Sequence, residues 1–404
     1  MFQNLKNIYH LLTSLIANLL LRFPSRGIRV IGVTGTDGKT TTSSIIYHIL
    51  NETGMNPSMI SSVGAFIGGK KYDVGSHVTT PTPSNLPRFI KKVKNEKSEF
   101  LILEVTSHAL DQNRAWGVNF EIGVLTNVTN EHLDYHKTYE NYAKAKFKLL
   151  KNAKTAILNK DDLSFKYAKA LKNKIITYGI KNKADIMPEN LSFEIKIQGD
   201  FNKYNTLAAI SACRELGLAD MQIKKGLNSF KLPIGRMEEI YKGNFSIMID
   251  FAHTANSFKQ LLSSVRNDTK GRIIHVFGAA GKRDFAKRPE MGKNSSEYSD
   301  IIILTAEDPR GENVEKINSE IEMGIDKKFK YQDYRNYEDN MKNKNIFFKI
   351  EDRREAIRFA ISIAKKGDLV ITTGKSHEKS MNYGKGEVLW DEFAIIREAL
   401  REKI

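Results

Sequence analysis

Short, continuously apolar runs alternate with stretches of helical period along almost the whole chain. "IRVIGV", "FLILEV", "IGVLTNV" and "TAILN" read as strands, and unbroken hydrophobicity of that kind marks a parallel sheet covered on both faces. Between the first two, "TTTSSIIYHILNETG" reads as a helix ended by Gly54, because glycine readily takes the left-handed conformation that closes a helix. After "LPIGRMEEI" the pattern restarts with "FSIMIDFA", "RIIHVFG", "DIIILTAED" and "DLVITTG". Strands alternating with helices predict an α/β fold, here in two domains with a boundary near Pro233 to Arg236. The expected organisation is an N-terminal helical extension over 1–27, a central domain over 28–232 and a C-terminal domain over 233–404. No internal repeat or low-complexity tract interrupts it.

One long apolar run, "LLTSLIANLLL" at residues 11 to 21, stands apart from this pattern. It falls short of the roughly 20 residues that cross a bilayer. Lys6 precedes it as in a signal peptide, but no small-residue cleavage site follows. Since "GIRVIGV" continues directly as a strand, the run is expected to be a packing helix, without stable membrane insertion.

Composition narrows the function. The net charge of +16 favours anionic partners such as nucleotides and phosphates. The basic residues are lysines dispersed along the chain, as in "KKVKNEK", with no compact stripe interleaved with aromatics, so nucleic acid is not an expected partner. Cys213 is the single cysteine, which excludes an intramolecular disulfide and argues against a cysteine zinc site. A reducing, cytoplasmic location is expected. The sequence leaves oligomeric state open, with a slight lean to a monomer.

The richest chemistry lies in "GVTGTDGKTTT", residues 32 to 42. It approaches the phosphate-cradling pattern G-x-x-x-x-G-K-[ST], but five residues separate Gly32 from Gly38. Lying after a strand and before a helix, its glycines bring backbone N–H groups close to phosphate oxygens. Lys39 can reach the terminal phosphates, and the Thr40 hydroxyl can hold Mg²⁺. "LEVTSHAL" puts Glu104 at the C-terminal end of another strand, where ligands of open α/β sheets collect. "LTNVTNEHLDYH" puts His132 just beyond the next, and with Glu104 and Thr40 it could complete a Mg²⁺ cluster. A structural strand-end acid and a structural histidine remain the plain alternatives for these two.

In "TYENYAKAKFKLLKN", Tyr139, Tyr142, Ala143, Leu149 and Leu150 form one apolar stripe of a helix, with Lys146 in its middle. Lys144, Lys148 and Lys151 project from the other side. Desolvation lowers the pKa of a lysine and favours the neutral amine, which can take up CO₂ as a carbamate. A structural lysine that snorkels to the surface is the competing explanation.

Together these residues resemble the Mur ligase family, from about Ile28 to the C-terminus. "TTPTP", "LEVTSHAL", "TNVTNEHLDYH", "GDFNKYN", "GRMEEI", "IDFAHT", "FGAAGKRDFAKRPEMG", "EDPR" and "GKSHE" occur in the family's order. The spacing Gly-x-x-Gly-x-x-Gly-Lys-Thr is that family's normal form. The fold it implies is a P-loop-type central domain with a parallel sheet, followed by a Rossmann-like α/β domain.

The implied reaction is ATP-dependent, Mg²⁺-assisted ligation of a diamino acid to a muramoyl-dipeptide precursor in peptidoglycan synthesis. The resemblance implies catalytic roles for Lys39, Glu104, His132 and Lys146, the last as its carbamate. Thr40, Glu104 and His132 would be the metal ligands. Gly35, Thr36, Asp37, Gly38, Lys39, Thr40, Thr41, Asn202, Asn205, Arg236, Asp250 and His253 match nucleotide-contacting positions, with the two asparagines near the adenine. Thr79, Thr80, Thr106, Gln112 and Arg114 match residues that hold the muramoyl peptide. Arg283, Asp308, Arg310, Gly374 and Glu378 match the acceptor site.

Several departures qualify this picture. Glu131 stands where the family usually has Asp. Diaminopimelate-adding relatives carry Asp-Asn-Pro-Arg, its arginine facing the acceptor's distal carboxylate, whereas Glu307 and Asp308 precede Pro309 and Arg310 here. Arg310 favours diaminopimelate; Asp308 keeps lysine in play. Relatives carry a further domain ahead of the loop that binds the uridine diphosphate end of the donor, but only 31 residues precede Gly32. The stretch between Tyr178 and Gly199 is also short. A UDP-linked donor is expected, held by its muramoyl-peptide part, by a partner chain, or replaced by a donor of another kind. A folylpolyglutamate- or cyanophycin-type ligase and a non-catalytic nucleotide-binding scaffold are the competing readings.

Overall fold

The computed structural model of the chain describes residues 2–75, 78–338 and 344–404, and falls into two units, Met1–Pro233 and Ile234–Ile404. In the first, helix α1 (Phe2–Leu20) precedes β1 (Arg29–Thr34) and α2 (Lys39–Glu52). Strands β2 (Pro57–Ser61), β3 (Gly64–Ile67) and β4 (Lys70–Tyr72) then lead to α3 (Asn85–Asn95). Next come β5 (Phe100–Glu104), α4 (Ser107–Asp111), β6 (Phe120–Leu125), α5 (Leu133–His136) and α6 (Tyr139–Lys151). Strands β7 (Ala153–Asn159) and β8 (Lys174–Tyr178) and helices α7 (Asp200–Glu215) and α8 (Asp220–Ser229) complete the unit.

Among the described residues, its sheet runs in the order β4-β3-β2-β5-β1-β6-β7-β8. The pairings from β2 through β8 are parallel, and only β3 and β4 add antiparallel edges. Alternate residues of β1 and β5 enter cores on opposite faces of the sheet. Ile31 and Val33 face α2 and α7 with Ile45, Ile49 and Leu207. Val30, Leu101 and Leu103 face the other side with Ile90 and Leu149. Burial on both faces explains why these strands read as unbroken apolar runs. The order places β1 between β5 and β6, so the chain diverges to either side of it. That is the switch point at which a crevice opens beyond the strands' carboxyl ends.

Helix α1 forms, as its period predicts, but it packs the opposite way from the expected packing helix. Its polar side meets the body: Ser14 Oγ donates to Asn113 O at 3.0 Å and Asn18 Nδ2 to Trp116 O at 2.9 Å. Most of its leucines and isoleucines are exposed, among them Leu12 and Ile16. Paired polar groups carry little burial cost, so hydrogen bonding decides the docking face here.

The second unit comprises β9 (Glu238–Lys242), β10 (Ser246–Asp250), α9 (Ala255–Arg266), β11 (Ile273–Phe277), α10 (Lys287–Tyr298) and β12 (Ile301–Leu304). Helix α11 (Val314–Glu322), β13 (Lys330–Tyr331), β14 (Ile346–Lys349), α12 (Arg353–Ile363) and β15 (Leu369–Thr373) follow, then the hairpin β16 (Ser380–Asn382) and β17 (Glu387–Leu389), and α13 (Glu392–Lys403). Among the described residues the sheet order is β13-β14-β12-β11-β15-β10-β9, parallel apart from the β10–β9 edge. Thr, Asn and Asp caps start α9, α11, α12 and α13, for example Thr254 accepting from Ser257 N and Asp391 from Ala394 N.

Candidate active site

The loop joining β1 to α2 is held from outside itself. Thr126 Oγ1 donates to Asp37 O at 2.6 Å, and Asn127 Nδ2 donates to the same carbonyl at 3.1 Å. Asn127 also accepts from Asp37 N through Oδ1 at 3.0 Å and from Thr36 N through its carbonyl at 2.9 Å. Two glycines make this fit possible. Gly38 has φ +82, and a Cβ there would lie 2.1 Å from Asn205 Oδ1. A Cβ at Gly35 would lie 1.8 Å from Thr126 Oγ1. Helix α2 begins immediately after Gly38, so its first N–H groups and positive dipole end face the loop. Lys39 Nζ reaches back over it to Thr36 O at 2.8 Å and Gly35 O at 3.1 Å.

The adjoining strand ends supply the acid. Glu104 is buried and accepts from Thr40 Oγ1 at 3.1 Å, from Ser62 N at 3.1 Å and from Ser62 Oγ at 3.2 Å. Thr79 meets Ser62 Oγ at 3.1 Å, while Thr80 Oγ1 donates to Glu104 O and accepts from Thr106 N. Thr106 in turn caps α4 through Ala109 N. Thr40 and Glu104 thus form one cluster with Thr79, Thr80 and Thr106 around it. Gln112 and Arg114 pair with each other at 2.8 Å, beside Tyr135. His132, the left-handed residue that starts α5, sets its ring edge-on to His108 with centroids 4.7 Å apart. His136, on the same turn, contacts Ser107 Oγ, and burial holds its pKa down to about 4.

Lys146 is 1% exposed, whereas Lys144, Lys148 and Lys151 are exposed. Its amine donates to Gly35 O at 2.6 Å and lies 4.3 Å from the centre of the Tyr142 ring. Burial first, then the Lys39 charge, drive its pKa well below the ordinary lysine value, against Asp37, Glu131 and Asp162. The amine therefore sits directly under the glycine loop. Asn202 and Asn205 are joined by a 3.0 Å hydrogen bond on α7, and Asn205 abuts Gly38, so the structure sets this pair against the phosphate loop itself.

The described residues contain no group of three or more His, Cys, Asp and Glu side chains able to hold a metal. The oxygen-rich Thr40–Glu104–Ser62 cluster instead suits Mg²⁺, which characteristically takes one or two protein oxygens and completes its shell with phosphates and water.

In the second unit, Arg236 lies 4.5 Å from the Phe251 ring centre, and Asp250 accepts from Met237 N and Ala252 N, both at 2.7 Å. His253 Nδ1 contacts Phe251 O at 2.8 Å. The segments that carry these three residues meet the "GKSHE" turn, since Ser376 Oγ donates to Gly235 O at 3.0 Å and the His377 ring packs on Phe251. In the "EDPR" segment, Asp308 accepts from Lys375 Nζ at 2.9 Å and lies 3.6 Å from the Arg310 guanidinium. Lys375 also pairs with Glu378 at 2.7 Å. The carboxylates of Asp308 and Glu378 thus face the cations of Lys375 and Arg310. Arg283 is exposed. A fully buried bidentate pair, Arg353 with Glu392 at 2.7 and 2.8 Å, also donates to Thr373 O and so fixes the end of β15 from which this turn departs.

Glu307 is buried beside Gly374, where a Cβ would lie 2.3 Å from its Oε2. That oxygen has no hydrogen-bond partner among the described residues. Burial, partly countered by Lys287 and Arg353, raises the pKa to about 8 from 4.5. A raised carboxyl pKa stabilises the fold fully below about 4.5 and loses that contribution as pH rises through about 8. Glu307→Gln is therefore expected to match the parent chain near pH 5 and to be more stable by up to a few kcal/mol near pH 9. Denaturant melts across that range check it; equal pH slopes for the two proteins would contradict it.

Ser62, Asn127, His108 and Lys375 were not among the residues anticipated from sequence. Ser62 carried little signal, since the strand before it reads "PSMIS" and is not an apolar run.

Residues 33–213 match the Mur ligase middle domain and residues 235–376 the Mur ligase, glutamate ligase domain. The chain is 37% identical over 404 residues to UDP-N-acetylmuramoyl-L-alanyl-D-glutamate--2,6-diaminopimelate ligase 1 of Clostridium acetobutylicum, covering 94% of this chain and 79% of that one. It is 35% identical to the corresponding ligase of Geobacillus kaustophilus, over 96% of this chain and 82% of the relative. A solved structure of a UDP-N-acetylmuramoyl-L-alanyl-D-glutamate--2,6-diaminopimelate ligase aligns at TM-score 0.59 and 29% identity, covering 94% of this chain and 79% of the other. The chain belongs to the Mur ligase family, a family of ATP-dependent, amide-forming ligases.

Proposed function

We propose that this protein joins a diamino acid, meso-diaminopimelate in the first instance, to a UDP-linked muramoyl-L-alanyl-D-glutamate. In the proposed sequence the terminal phosphoryl group of ATP passes to the donor's carboxylate, giving an acyl phosphate and ADP. The acceptor's amine attacks the acyl carbon, and inorganic phosphate leaves as the amide forms. The observation that carries this reading is the glycine loop itself, with Thr40 at its end bonded to the buried Glu104 and the buried amine of Lys146 bonded to its Gly35 carbonyl.

Each side chain has a task in that scheme. The loop's N–H groups and Lys39 bind the phosphates and offset their charge. Thr40, Glu104 and His132 would hold Mg²⁺, which would supply Lewis-acid stabilisation of the transferring phosphoryl group. Lys146 takes up CO₂ as a carbamate, losing one proton from its nitrogen, and the carboxylate so made supports that metal site. Arg236, Asp250 and His253 serve the nucleotide in this scheme. Thr79, Thr80, Thr106, Gln112 and Arg114 serve the muramoyl peptide. Arg310 carries a guanidinium that can pair with a carboxylate on the acceptor and would repel an ammonium, which favours diaminopimelate over lysine.

Phosphate release from ATP is expected only when UDP-MurNAc-L-Ala-D-Glu and a diamino acid are both supplied, with diaminopimelate above lysine. Release indifferent to the muramoyl dipeptide would overturn the ligase reading. Release with lysine alone would overturn the acceptor assignment while leaving the ligase reading in place.

A further inference from the structure

We propose that α1 is an interfacial anchor that seats the protein on an anionic phospholipid surface. Leu5, Ile8, Tyr9, Leu12, Ile16 and Leu19 recur every three or four residues and are each more than half exposed, so they form one outward apolar stripe. The helix cannot simply roll to hide it. Gln3 donates to Tyr135 OH at 2.6 Å and Asn7 to Asp111 at 3.3 Å, in addition to the Ser14 and Asn18 bonds, and all four lie on the opposite side. A contiguous exposed apolar surface of this kind marks an interaction site.

Charge identifies the occupant. Helix α1 contains no acidic residue, and Lys6 is its only fixed charge. Arg22 and Arg26 follow its C-terminal end, both exposed. Beside it α3 exposes Arg88, Lys91 and Lys94, and Lys94 Nζ donates to Arg26 O at 3.0 Å. Next to these cations, Phe23 packs 6.3 Å from the partly exposed Trp116, giving the aromatic residues favoured at a headgroup boundary. A second copy of a chain carrying +16 would meet this basic rim with like charge, whereas an anionic bilayer complements it. No helix among the described residues is long and apolar enough to cross a membrane. A convex stripe with a basic rim lies along the boundary, its apolar side chains in the acyl region and its cations at the phosphates.

The test is co-sedimentation of the full chain with vesicles of phosphatidylglycerol and phosphatidylcholine in equal parts, against phosphatidylcholine alone. Binding is expected on the anionic vesicles. The double variant Leu12→Glu with Ile16→Glu should lose about tenfold or more in partitioning while keeping its circular dichroism and melting midpoint. Arg22→Gln with Arg26→Gln, which leaves the stripe intact, should weaken binding to the anionic vesicles only. No sedimentation with anionic vesicles would overturn the proposal. So would equal binding by the glutamate variant, which would reduce the effect to bulk charge. A concentration-dependent dimer in velocity sedimentation, abolished by the same variant and accompanied by indifference to vesicles, would assign the stripe to a second copy instead.

Discussion

Lys146→Ala is expected to lower the rate of amide formation by at least about a hundredfold, with formate or acetate restoring part of the loss. Lys146 is enclosed on α6 with its nitrogen 2.6 Å from Gly35 O, directly beneath the loop that would hold the phosphates. Burial and the Lys39 charge favour its neutral form, and only a neutral amine can attack CO₂. Removing the side chain leaves a cavity into which a small carboxylic acid can bring the missing carboxylate. Phosphate release measured against acid concentration checks the rescue. A ¹³C carbamate resonance, present in the parent chain supplied with labelled CO₂ and absent from the variant, checks the modification. Unchanged turnover in Lys146→Ala would remove the assignment, and loss without rescue or resonance would leave Lys146 as packing alone.

Glu104→Gln should cost about a thousandfold in phosphoryl transfer, equivalent to several kcal/mol. The carboxylate accepts from Thr40, from the Ser62 hydroxyl and from Ser62 N. Glutamine keeps the volume but turns one acceptor into a donor facing groups that already donate, and it removes the charge that would hold Mg²⁺. The half-saturating Mg²⁺ concentration should rise together with the loss in rate, which separates this role from simple misfolding. An unaltered Mg²⁺ dependence would place the metal elsewhere.

The sequence disclosed the cradle because its parts are local. The glycine spacing, Lys39 and Thr40 lie in one stretch, and Glu104 ends a strand whose apolar run is unmistakable. Lys146 was legible for another reason, since one cation on an apolar helical stripe breaks the period. Asn127 was not legible, because its hold on Asp37 depends on β6 lying beside β1. Lys375 likewise gains meaning only when the turn after β15 folds onto Asp308. The orientation of α1 escaped for a subtler reason. Helical periodicity reveals that two faces differ, yet it does not say which one the body holds, and here Ser14 and Asn18 found partners that made the polar face the inner one.

The bonds from Thr126 and Asn127 to the glycine loop come from β6's end, and Asn205 presses on it from α7. The cradle's outline is thus written by segments far apart in the chain, before any nucleotide arrives. A ligand entering it surrenders its own freedom while the receptor has little left to lose. Tightness of binding should then respond to damage at Thr126 or Asn127, residues with no part in the chemistry, through the disorder they would release.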